Sequence, residues 1–90
     1  VLLEVGMPKG RTGCRSVEAA QEVLASVHAA SDVLSLAGVE GYEGLIPCNE
    51  NDAVERVDAY LAVVKDVLAS IGTDYFSGRD EVILSAGGTA

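Results

Sequence analysis

Apolar residues follow two alternating rhythms along this chain: short unbroken runs, and stripes spaced three and four residues apart. Val1, Leu2, Leu3 and Val5 open with a run in which the single acid, Glu4, sits near the end. That pattern predicts a strand buried on both faces and meeting solvent or a ligand only at its tip. The stretch Gly6-Met7-Pro8-Lys9-Gly10-Arg11-Thr12-Gly13 contains three glycines and a proline and reads as a loop. Val17, Ala20, Leu24 and Val27 then recur at helical spacing, with Ser16 placed to cap and Glu18 in the first turn, predicting a helix from Ser16 to about Ala30.

After Ser31 and Asp32, the run Val33-Leu34-Ser35-Leu36-Ala37-Gly38-Val39 reads as a second strand that passes into Glu40-Gly41-Tyr42-Glu43-Gly44. The glycines there point to a strand end that another group approaches closely. Leu45 to Glu50 is loop, and Asn49 or Asn51 is the expected cap of a second helix carrying Val54, Val57, Leu61, Val64, Leu68 and Ile71. Tyr60, Val63 and Val67 broaden that stripe, and Gly72 is placed to end the helix. Thr73 to Asp80 is polar and turn-rich, and Glu81-Val82-Ile83-Leu84 returns to the strand pattern before Ser85-Ala86-Gly87-Gly88-Thr89.

The predicted order is therefore β-α-β-α-β, an α/β arrangement of parallel strands joined by right-handed crossovers. All three post-strand loops should emerge at one edge, where ligands collect in barrels and in open sheets alike. Three strands cannot close a barrel, and bare strand edges call for neighbours. Together with an opening valine and a stop directly after an apolar run, this leads us to expect a segment of a larger protein. At 90 residues the chain lies below the usual domain size of roughly 100–150 and can bury only a modest core.

Charge narrows the class of partner. Fourteen acids against six bases give a formal net charge of -8, which disfavours nucleic acid. The one basic cluster, Lys9, Arg11 and Arg15, suffices for a single anionic ligand. No apolar stretch approaches the ~20 residues needed to span a bilayer, so no membrane partner is expected. Cys14 and Cys48 fit no metal spacing and are expected to be free thiols in a reducing, cytoplasmic compartment.

Several residues at the predicted loop edge could carry chemistry. Gly87 and Gly88 let successive backbone N–H groups converge and Thr89 adds a hydroxyl, a combination suited to phosphate but equally to an ordinary turn. Arg11, between Gly10 and Gly13, could reach a ring nitrogen, a carboxylate or a phosphate. Tyr42 and Glu43 end the second strand, where a phenol can donate to phosphate and a carboxylate can orient a donor. Glu4 is placed to pair with Arg11 across the loops. Lys9 and Arg15 read as solvated neighbours, Lys65 as a helix surface residue, and His28 as a helix C-terminal group. No Ser, His and Asp set carries a supporting motif, so the segment reads as one that positions a cofactor whose reactive partner comes from elsewhere.

Three pieces in order, Leu3-Glu4-Val5 through Gly10-Arg11-Thr12-Gly13, Leu36 through Gly44, and Leu84-Ser85-Ala86-Gly87-Gly88-Thr89, resemble one known group over nearly all of the chain. The group comprises D-threonine aldolase, D-serine dehydratase and related D-amino-acid deaminases, the alanine-racemase-like enzymes that use pyridoxal phosphate. The resemblance implies that residues 1–90 are the central part of a (β/α)8 TIM-like barrel domain. By that resemblance Arg11 faces the pyridine nitrogen, Tyr42 lies near the cofactor phosphate, and Gly87, Gly88 and Thr89 form the phosphate-binding turn. An arginine beside the ring nitrogen stays charged and discourages full protonation of the ring. The resemblance places the Schiff-base lysine on an earlier strand and the ligands of a divalent metal in a C-terminal β domain, both outside this chain.

The implied activity is that of a lyase on small-molecule β-hydroxy D-amino acids, by retro-aldol cleavage or by dehydration and deamination. The sequence departs from the group where Gly6, Met7 and Pro8 replace an acidic start to the arginine loop, and where Leu45 follows Gly44 in place of a frequent histidine. The alternatives are a noncatalytic α/β protein that binds a phosphate ligand or pyridoxal phosphate, and a purely structural segment. The bare edges and apolar helix faces also lead us to expect a homo-oligomer.

Overall fold

The computed structural model describes residues 1–7, 10, 12–44, 46, 49, 51–76 and 78–87. The elements run β1 (Leu2–Val5), α1 (Val17–Ala29), β2 (Gly38–Gly41), α2 (Ala53–Ser70), a 3-10 helix (Thr73–Phe76) and β3 (Ile83–Ala86). The three strands form one parallel sheet in the order β1-β2-β3. The expected β-α-β-α-β order is therefore the observed one.

Burial alternates along β1: Leu3 and Val5 are buried, whereas Leu2 and Glu4 are half-buried. The strand is covered on one face, not on both as its apolar run suggested, because the helical residues of the core gather on that side. There Leu3, Val5 and Val39 meet Ala20 and Leu24 of α1 and Tyr60, Val64 and Val67 of α2. The register sets Glu4 beside Glu40 and Glu40 beside Ser85 on the opposite, open face. Ile83 and Leu84 of β3 remain nearly half exposed, since β3 is an edge and no described helix packs over it.

Helix α1 begins where the sequence placed it. Ser16 is the N-cap, and its Oγ accepts from the Ala19 N–H at 3.0 Å. Ser16→Ala removes that acceptor and is expected to cost about 1 kcal/mol, read as a lower denaturation midpoint. Beyond Ala29 the backbone makes turn bonds from Ala30, Ser31, Val33 and Leu34 to Val27, His28 and Ala30 carbonyls. These bonds satisfy the helix end and take up the residues that were expected to open the second strand. Val33 is consequently 77% exposed, and β2 starts only at Gly38.

Helix α2 shows a rotation of its predicted face. The buried positions are Ala53, Tyr60, Val64, Val67 and Ile71, with Val57 and Leu68 packed beside them, while Val54 is 70% exposed. Two overlapping apolar stripes were available, and the one carrying Tyr60 faces the sheet because its hydroxyl finds partners there. Asp52, not an asparagine, is the N-cap, and it makes no side-chain cap bond. Ile71, followed by Gly72, closes the helix. His28, in the last turn of α1, packs edge-on to Tyr75 with ring centroids 5.4 Å apart.

Candidate functional site: the C-terminal rim of the sheet

The last aligned residues of the three strands are Val5, Gly41 and Ala86. Gly6, Tyr42 and Gly87, which follow them directly, therefore leave the sheet at a common edge. Ser85 and Ala86, which the sequence assigned to the terminal loop, belong to β3 and pair with Glu40 and Gly41. Gly87 follows β3 directly, and a side chain there would meet nothing within 4 Å.

The first loop is tied down at its base. Cys14 returns alongside β1, donating its N–H to the Glu4 carbonyl at 2.9 Å and accepting from the Gly6 N–H at 2.8 Å. Gly13 adopts φ +90 and lies so close to Gly6 that a Cβ would fall 2.8 Å from the Gly6 Cα and 2.9 Å from the Val5 carbonyl carbon. Only glycine satisfies both the dihedral and the close approach. Thr12 Oγ1 donates to Glu4 Oε1 at 2.7 Å, so the carboxylate expected to pair with Arg11 holds the loop's threonine. Arg15 is solvent-exposed, as expected, and also braces the loop: its Nε donates to the Met7 carbonyl at 2.8 Å, and its Nη2 donates to the Gly10 carbonyl. A planar guanidinium can grip two carbonyls of one loop at once, which lysine does less well.

Burial pushes the Cys14 thiol above its usual range, and the nearby Glu4 carboxylate adds to that effect. The thiol is therefore a poor nucleophile and serves the core.

Tyr60 joins the two strand ends. Its ring is buried, its hydroxyl donates to the Val5 carbonyl at 2.6 Å, and the same oxygen accepts from the Tyr42 N–H at 2.9 Å. Burial raises the phenol above its ordinary value, the Tyr42 N–H lowers it, and the carboxylates of Glu43, Glu4 and Glu40 raise it. The hydroxyl thus keeps the proton it donates to Val5. The sequence showed Tyr60 only as a broadening of an apolar stripe. The available clue was the glycine at position 41, because a Cβ there would strike the Tyr60 hydroxyl.

Tyr42 itself is 45% exposed, and its ring lies over Gly44, where a Cβ would collide with it. A small cavity of about 40 Å³ is lined by Glu4, Val5, Gly6, Met7, Gly10, Thr12 and Tyr42, so the first loop and Tyr42 share one space. Glu43 Oε2 is buried without a hydrogen-bond partner among the described residues. An unpaired buried acceptor is costly, and a donor from a ligand would satisfy it.

Of the five site residues expected from the sequence, Tyr42 and Gly87 stand at this rim. Arg11, Gly88 and Thr89 lie outside the described residues, as does Cys48. Gly10 and Thr12, which flank Arg11, are part of the tied loop. Among the described residues no group of three His, Cys, Asp or Glu side chains could hold a metal ion. Among them also, no helix is long and apolar enough to cross a membrane. No known family, curated protein or solved structure matches the chain.

Proposed function

We propose that this chain is the central part of a (β/α)8 barrel in a pyridoxal-phosphate-dependent lyase acting on β-hydroxy D-amino acids, as the resemblance of its three ordered segments implies. The observation that carries the proposal is the convergence of the arginine-bearing loop, Tyr42 and Gly87 at one edge of a parallel sheet. In parallel β/α architectures that edge is where phosphate ligands bind.

Among the described residues the fit is partial: the space beside Tyr42, about 40 Å³ and walled by Glu4, supplies no cation. Tyr42 offers an exposed phenol as a donor, and Gly87 presents backbone in open space that a phosphate can approach. Glu4, Glu40 and Glu43 make the rim acidic, so a phosphate there needs a cation, the charge that Arg11 would bring. In this reading Gly88 and Thr89 complete the phosphate turn, and Arg11 faces the ring nitrogen. Pyridoxal phosphate, when bound, supplies the electron sink for bond cleavage at the substrate carbon. The chain's own residues orient and hold: Thr12 and Arg15 fix the loop, and Tyr42 anchors the phosphate end. The Schiff-base lysine and the ligands of a divalent metal would lie on other parts of the protein, which in this reading is cytoplasmic and assembles with copies of itself.

The test uses the full-length protein loaded with pyridoxal phosphate and offered D-threonine and D-serine. Glycine with an aldehyde is the expected product of aldol cleavage, and a keto acid with ammonia that of dehydration. A folded protein that binds no cofactor defeats the proposal. One that binds it yet turns over no D-amino acid is a noncatalytic cofactor-binding protein instead.

A further inference from the structure

Helix α2 carries more apolar surface than the sheet takes up. Arg56, Ala59, Tyr60 and Val63 recur at helical spacing and so share one face of the helix. Tyr60 turns into the core, but Ala59 is exposed and Val63 is 41% exposed. Between this face and the first loop runs a groove of about 340 Å³, lined also by Met7 and Arg15. That volume lies at the lower end of the range for small-molecule sites.

The charge of the groove is opposite to that of the chain. Fourteen acids outnumber six bases in the sequence, yet Arg15 and Arg56 line the groove and no carboxylate of the described residues does. Arg15 bonds main-chain carbonyls, those of Met7 and Gly10, through Nε and Nη2. Carbonyls are neutral, so these bonds fix the guanidinium without balancing its charge, and among the described residues no carboxylate pairs with it. A guanidinium has more N–H donors than those bonds use, and Nη1 has no partner among the described residues. Arg15 is therefore held in place and still able to take an anion, with little ordering left to be done on binding.

We propose that the groove between the first loop and α2 binds a small amphipathic monocarboxylate, its carboxylate on Arg15 and its apolar body against Met7, Ala59 and Val63. A carboxylate presents paired oxygens to the planar guanidinium fork. One uncompensated guanidinium calls for one negative charge, and the net charge of -8 opposes a dianion more than a monoanion. Arg56 adds to the attractive field in the same groove. The apolar body covers Val63, the part of the α2 stripe that the core leaves outside. This site does not depend on the cofactor reading, because neither Arg15, Arg56 nor Val63 borders the small cavity beside Tyr42.

The probe is 3-phenylpropionate, titrated into the full-length protein and followed by NMR. It should bind at a single site and shift the methyl signals of Ala59 and Val63. The neutral 3-phenyl-1-propanol lacks the charge and propionate lacks the ring, so each should bind about tenfold more weakly or less. Val63→Glu sets a carboxylate in the groove at a partly exposed position, where it repels the probe or takes Arg15 for itself, and should weaken binding by about tenfold or more. Val54→Glu is the control: it adds the same charge to the same helix at a residue that is 70% exposed and outside the groove, and should leave the affinity unchanged.

Equal weakening by the two substitutions overturns the proposal, since the effect would then be one of overall charge. So does a folded Val63→Glu protein that binds the probe as the unmodified protein does. Binding of the alcohol as tight as that of the acid removes the role of Arg15 and overturns it as well. If Val63→Glu does not fold, the unmodified protein decides: saturation with the probe that leaves the Ala59 and Val63 methyl signals unmoved places the ligand elsewhere.

Discussion

Gly13→Ala should lower the unfolding free energy by about 3 kcal/mol or more, the sum of a strained left-handed dihedral and of backbone overlap. The dihedral, φ +90, alone is unfavourable for any residue with a side chain. The added methyl would also press on the Gly6 Cα at 2.8 Å and the Val5 carbonyl carbon at 2.9 Å. These are main-chain atoms of β1 and its exit, and they cannot rotate away as a side chain would. Relief requires the pair of bonds between Cys14 and the Glu4 and Gly6 backbone to open. The loop root then comes loose, so the variant should also bind pyridoxal phosphate less tightly in the full-length protein. A denaturation midpoint close to that of the unmodified protein would show that the loop root yields freely.

Gly41→Ala is the second large effect, with a different origin. The new methyl would meet the Tyr60 hydroxyl and lie 3.1 Å from Cζ and 3.2 Å from the Val64 Cγ2. Overpacking of a rigid core costs about 1–3 kcal/mol, and displacing a buried hydroxyl from its two partners costs about 1–3 kcal/mol more. We therefore expect a loss of about 3 kcal/mol, measured by urea denaturation, which is a large share of the stability of a chain this small. The two contributions separate in a double mutant. In a Tyr60→Phe background the colliding oxygen is gone, so Gly41→Ala should cost clearly less than it does alone. Strict additivity would mean that the methyl and the hydroxyl never compete for the same space.

The pair Gly41 and Tyr60 also marks the boundary of what could be read from the chain. Elements were legible because their signals are local: the periodic stripe of α1, the Ser16 cap and the run at β1 each depend on neighbours within a few residues. Parallel pairing followed from strand and helix alternation alone, and with it the expectation that all post-strand loops share an edge. The glycines at 38, 41 and 44 are points of close approach, as their spacing implies, although what approaches them is not readable from the sequence.

Partners distant in sequence were decided by the tertiary structure. Tyr60 and Val63 both extend the apolar stripe of α2, yet Tyr60 is buried and Val63 is 41% exposed. The choice depends on where the ends of β1 and β2 present a carbonyl and an N–H 55 and 18 residues away. Arg15 is the surface cation its sequence context suggests, but only the tertiary structure shows that it grips the Met7 and Gly10 carbonyls. The first strand's apolar run suggested two covered faces, but coverage is a property of the neighbours, and here only one side has them. Local sequence thus determined the elements and their order, because helix and strand preferences act over a few residues. The face each element buries, and the hydroxyl of Tyr60 that bonds the ends of β1 and β2, were settled by packing, in which groups far apart in sequence compete for the same space and the same hydrogen-bond partners.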